Sequence, residues 1–122
     1  MTQKGELFLG AYPAAAVNFT GAPAIQGTAY NVSSVVLDAA AGLYKITFTN
    51  AITDREGVAT NKYMWSINGF DNSNNPVMGS VRNLASYDAA VDSTFIRVQF
   101  QNQNATPVTG LVAGTVIIWK IQ

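Results

Sequence analysis

With neither histidine nor cysteine among its 122 residues, the chain must draw any chemistry from carboxylates, amides, hydroxyls and aromatic rings. The commonest general base and metal ligand is absent, and no disulfide or thiolate–metal framework can form. Four groups of residues have the types and spacing of a site. Asp54, Arg55 and Glu56 are adjacent charges that would serve as an acid–base cluster, but before Gly57 they read as a solvated loop tip. Asp71, Ser73 and Asn75 carry oxygens at the alternate spacing of a calcium loop. The glycine at the sharp turn and the bidentate glutamate of such a loop are missing, so a simple turn is favoured. Asp88 and Asp92 stand four apart and would pair as carboxylates; with no histidine nearby, capping of a turn is the better reading. Tyr63 and Trp65, with Asn68 and the asparagine-rich stretch after it, have the makings of a sugar platform, set against plain core packing of two aromatics on one strand face. No catalytic, cofactor-binding or metal-binding residue is assigned, and the chain reads as a non-enzyme. A carbohydrate-active enzyme, the remote alternative, needs two carboxylates about 5–10 Å apart in a cleft.

The charge balance removes further classes. Seven Lys and Arg offset seven Asp and Glu, and charged residues make up only 11% of the chain. No basic patch points to nucleic acid and no charge run points to a tail. Uncharged polar groups wet the surface, which favours association over mutual repulsion. Leu7-Phe8-Leu9 is too short for a signal-peptide core or a membrane span, so the product is expected to stay in the cytoplasm where it is made. The three Asn-x-Ser/Thr triplets at Asn18, Asn31 and Asn104 are then coincidental.

The elements that must position these residues are strands. Residues 110–122 are the most apolar stretch, and Val116, Ile117 and Ile118 are consecutive β-branched residues that favour a pleated sheet. Alternation sends Ile117, Trp119 and Ile121 to one face and Val116 and Ile118 to the other. Both faces are apolar, so both are expected to be covered, one by the core and one by a second copy of the chain. Residues 1–13 lack periodicity and read as an N-terminal arm, with Leu7, Phe8, Leu9 and Tyr12 as its attachment residues. Residues 14–122 read as one domain, with strands at Ala14–Phe19, Thr28–Leu37, Leu43–Asn50, Lys62–Phe70, near Met78–Asn83 and at Ser93–Asn102 before the closing strand. Ile96, Val98 and Phe100 are expected to face in, and Phe95, Arg97, Gln99 and Gln101 out. Leu84, Tyr87, Asp88 and Val91 recur at the spacing of one helical turn. Turn residues separate the strands. About seven to eight short strands at such intervals predict an all-β fold, an antiparallel β-sandwich or jelly roll.

Three stretches carry a resemblance. Val17-Asn18-Phe19-Thr20-Gly21, Tyr30-Asn31-Val32-Ser33-Ser34-Val35 and Gly42-Leu43-Tyr44-Lys45-Ile46-Thr47-Phe48 are similar, in kind and order, to the small β-sandwich domains of bacteriophage tail fibres and related virion surface proteins. The match spans residues 17–50, and more loosely 93–121; residues 52–90 depart from it. The resemblance implies a virion component, usually a homotrimer, with no catalytic residues and no cofactor. Because the chain starts at its own Met1 without an attachment module, a trimeric capsid decoration (cement) protein is expected, its partners being itself and other virion proteins such as the major capsid protein. The alternative is the receptor-binding knob of a tail or head fibre recognising a host surface glycan. Neither reading involves nucleic acid or membrane. Met64 and Phe70, on the strand face opposite Tyr63 and Trp65, join Ile117, Trp119 and Ile121 as expected subunit contacts.

Overall fold

The computed structural model describes residues 11–38, 42–82, 90–102, 104, 106–108 and 110–121. They form eight strands: β1 (Ala11–Thr20), β2 (Ala24–Tyr30), β3 (Val32–Leu37), β4 (Leu43–Phe48), β5 (Met64–Asp71), β6 (Pro76–Val81), β7 (Phe95–Gln101) and β8 (Leu111–Ile121). No helix occurs among the described residues. All pairings are antiparallel and run without a break in the order β2-β1-β8-β5-β6-β7-β4-β3. β5, β6 and β7 form a meander, and β8 returns beside β5, as in a Greek key. The all-β, antiparallel expectation holds, and the strands curl into one nearly closed, barrel-like sheet.

The closing strand lies in the middle of the sheet, between β1 and β5. Its two faces differ. Val116 and Ile118 point inward and are buried, whereas Ile117 and Trp119 point outward and are only partly covered. Inward residues of the other strands complete the core: Ala15, Val17 and Phe19 from β1, Tyr44, Ile46 and Phe48 from β4, and Ile96, Val98 and Phe100 from β7. At its centre Phe19, Tyr44 and Phe100 meet at ring-centroid distances of 5.2, 6.0 and 5.9 Å. Tilted and edge-on contacts of this kind add to the gain from burial. Space for the rings comes from glycine. Gly69 and Gly114 are register partners on β5 and β8. A Cβ at Gly114 would lie 2.8 Å from the Phe19 ring and 2.9 Å from the Phe100 ring.

The sheet edges, β2 and β3, are consecutive in the chain, and only Asn31 separates them. The continuous strand expected over Thr28–Leu37 is therefore two strands with a corner. Asn31 takes φ of 54°, a left-handed conformation that asparagine tolerates better than most residues. Its side chain holds the corner in place. Nδ2 donates to the carbonyls of Ala14 and Asn50, both at 3.1 Å, and Oδ1 accepts from the Asn50 amide at 2.8 Å. Strand β1, the corner and the segment after β4 are thereby tied together. Tyr44 adds a second tie, its hydroxyl donating to the Gly21 carbonyl at 3.1 Å; burial raises its phenol above the ordinary value.

Other expectations need correction. β1 starts at Ala11, so Tyr12, expected in the arm, is a strand residue paired with Lys120. Leu7, Phe8 and Leu9 lie outside the described residues, as do Leu84, Tyr87 and Asp88; Val91 forms an isolated bridge to Ile96. Arg97 and Gln99 lie on the outward side of β7 but are buried, Gln99 at 2% exposure. Arg97 Nε donates to Asp38 Oδ2 at 3.0 Å, and Arg82 Nη1 donates to Gln99 Oε1 at 3.0 Å. Strand alternation fixes the side on which a residue lies, not whether another segment covers that side.

Replacing Asn31 with alanine should cost about 2 kcal/mol, through its lost hydrogen bonds and the unfavourable φ. Replacing it with glycine should cost less, because glycine accepts the dihedral. Urea unfolding checks this, with the midpoint falling further for alanine than for glycine.

Candidate interaction face and loop clefts

Outward-facing residues form the broadest candidate site. Register pairing sets them in rows across the strands. One row runs Tyr30–Ala16–Ile117–Ser66 and the next Pro13–Trp119–Met64. Met64 is 57% exposed and Tyr30 59%. The Trp119 indole nitrogen donates to Ser66 Oγ at 3.0 Å, which fixes the ring against the sheet. A polar row follows, Gln26–Asn18–Thr115–Asn68, in which the Thr115 hydroxyl donates to Asn18 Oδ1 at 2.7 Å. Beyond it lie Thr20, Ala113, Phe70 and Pro76, with Phe70 half exposed. The structure thus brings Met64, Phe70, Ile117 and Trp119 onto one outer face. Ile121 pairs with Ala11 through the backbone. Tyr30 belongs to this face too, and sequence reading missed it because the corner at Asn31 changes the register of its neighbours.

The sugar platform around Tyr63 and Trp65 is not assembled. Tyr63 is buried, its hydroxyl donating to the carbonyls of Asp92 at 2.8 Å and Phe95 at 3.1 Å. Burial first, and the Asp92 charge second, push that phenol far above its ordinary value. Trp65 pairs with the inward Ile118, while Asn68 pairs with the outward Thr115, so the ring and the amide lie on opposite sides of β5.

The loop carboxylates act on their own backbone. Asp54 Oδ1 accepts from the amides of Glu56 and Val58 at 2.8 and 3.0 Å. Asp71 Oδ1 accepts from Ser73 and Asn75, both at 2.9 Å. Asn102 Oδ1 accepts from Asn104 and Thr106 at 2.8 and 3.1 Å. In each loop the same residue's amide donates to the carbonyl four residues on. One turn is therefore built three times, with an Asp or Asn oxygen at its start. The sequence carried the signal as an Asp or Asn leading each polar loop, but only the hydrogen bonds show the common design. Asp92 is likewise occupied, by the hydroxyl and amide of Thr94 at 2.6 and 3.1 Å. Among the described residues no cluster of three acidic side chains stands ready to hold a metal ion. Asp88 lies outside them.

Comparison with family models, with curated protein sequences and with solved structures finds no match.

Within one chain Trp119 is only partly covered, and this sets the expected cost. Trp119→Ala should lose about 1–2 kcal/mol, whereas Ile118→Ala, cut from the closed core, should lose about 2–5 kcal/mol. Parallel denaturant curves on the two variants check the order.

The Asp54 and Asp71 carboxyls are held below the ordinary value of 3.8, chiefly by the backbone amides of Val58 and Asn75 respectively. A depressed carboxyl pKa stabilises the turn above the ordinary value, and that contribution is lost as pH falls through the folded pKa. Amide exchange at Val58 and Asn75 should therefore stay slow down to the ordinary carboxylate range and quicken below it. In the Asn102 turn, Thr106 should show no such step.

Proposed function

We propose that the chain is a structural protein of a bacteriophage particle, a trimeric capsid decoration protein whose subunits meet through the outer face of β1, β8 and β5. The observation that carries this reading is the outward patch of Pro13, Ala16, Tyr30, Met64, Ile117 and Trp119 on a chain with no net charge. Apolar surface of this kind, rimmed by amides and hydroxyls, marks a protein–protein contact. The virion setting rests on the resemblance of residues 17–50 to tail-fibre and virion surface domains, and the reading takes the barrel as the flattened, sandwich-like subunit that this resemblance implies. A contact made by apolar burial and neutral hydrogen bonds is little screened by salt, although the Debye length falls from about 10 Å at 0.1 M to about 3 Å at 1 M. Urea weakens such a contact by solvating apolar and peptide groups.

Sedimentation at micromolar concentration tests the assembly. The expected species is a trimer that persists in molar sodium chloride and dissociates in urea before it unfolds. Ile117→Glu should give a folded monomer, because the side chain points away from the core. A wild-type monomer throughout overturns the trimer. Imaging of particles carrying the labelled chain then tests the capsid position.

A further inference from the structure

The barrel has two unlike ends. Ala11 pairs with Ile121 at one end, which also holds the Asn31 corner and the Asp54 loop. At the other end Thr20 pairs with Ala113 and Asp71 with Leu111. Two of the three matching turns, those begun by Asp71 and Asn102, stand side by side there. The cleft between them is lined by Asp71, Asn75, Pro76, Asn102 and Asn104.

We propose that this cleft binds a neutral glycan. The site lies at the end away from Ala11 and Ile121, and of the assembly face it shares only Phe70. The lining has the chemistry of sugar recognition. Both backbone bonds of Asp71 fall on Oδ1, its carboxylate also meets the Asn75 side-chain amide, and Asn75 and Asn104 bring further amide groups to the lining. Asn102 commits its Oδ1 to the amides of Asn104 and Thr106, so what it turns to a ligand is its Nδ2, a donor. A carboxylate acceptor facing amide donors suits neighbouring hydroxyls, each of which donates and accepts. The apolar side of a pyranose has a platform at the rim. Phe70, half exposed, is the cross-strand partner of Pro76, which lines the cleft, and a ring beside a proline presents a flat apolar surface.

The residue at position 102 separates this use from cation binding. Asp54 and Asp71 begin the same turn with a carboxylate, so aspartate would serve the turn at 102 equally well. Asparagine there brings a donor to the cleft that Asp71 lines instead of a second negative charge. A cation site would gain from the aspartate, whereas a sugar site loses a donor and acquires repelled oxygens.

Proton–nitrogen NMR of the full chain tests this with methyl glycosides of glucose, galactose, mannose and N-acetylglucosamine, and separately with calcium chloride. The expected result is saturable shifts of the side-chain amides of Asn75, Asn102 and Asn104 with at least one glycoside, at a dissociation constant in the millimolar range usual for a single small shallow site. Asn102→Asp should keep the folded spectrum and weaken that binding by about tenfold or more. Asn104→Ala should weaken it less, and Phe70→Ala should also weaken it. No shift with any glycoside overturns the proposal. So does saturable calcium binding that tightens in Asn102→Asp, which would make the cleft a cation site.

Discussion

An eight-stranded sheet that curls back on itself must bring its two edges together, and here the chain crosses from one edge to the other in a single residue. That crossing is the constraint on which the rest depends. Asn31 meets it with a left-handed backbone and a side chain that ties three separate stretches of chain. Edge strands present rows of unpaired amides and carbonyls, which proteins shield or close off. Bringing the edges to a common corner limits that exposure without a ninth strand. The hydroxyl of Tyr44, bonded to Gly21, ties β4 to the turn between β1 and β2.

Closure sets the volume of the interior, and the interior then dictates residue size. Three aromatic rings fill the middle, so the strands opposite must give way, and glycine at 69 and 114 does so. A small barrel is packed by such pairing of large and small inward residues. The cost of glycine in a strand, extra freedom in the unfolded chain and no side chain to pack, is offset by the rings that occupy the vacated space. The same packing decides which face of β8 is inner. Val116 and Ile118 join the core that holds Phe19 and Phe100, and the larger Trp119 is left outside, anchored by Ser66.

With the interior full, the surface divides by chemistry. The flank of β1, β8 and β5 is apolar with an amide and hydroxyl stripe. The end that holds the Asp71 and Asn102 turns carries a cleft lined by Asp71, Asn75, Pro76, Asn102 and Asn104. On the readings proposed above, the flank would meet a protein and the end a sugar.

Sequence alone determined the strand content, because alternation of β-branched and aromatic residues between Asn, Asp, Gly and Pro turns is a local property that burial on one face enforces. It also determined that Met64, Phe70, Ile117 and Trp119 would be set apart from their strand neighbours, since the period of two needs no partner to be known. The tertiary structure alone decided which face of β8 is core, because that depends on rings contributed by β1, β4 and β7. It alone broke the stretch from Thr28 to Leu37 at Asn31, a residue whose left-handed corner is stabilised by Ala14 and Asn50, both distant in sequence. It alone buried Arg97 and Gln99, since the groups that satisfy them, Asp38 and Arg82, come from other strands' ends. The cleft between the Asp71 and Asn102 turns was illegible for the same reason: each turn is local, but their adjacency is set by the pairing of β5 with β6 and β6 with β7.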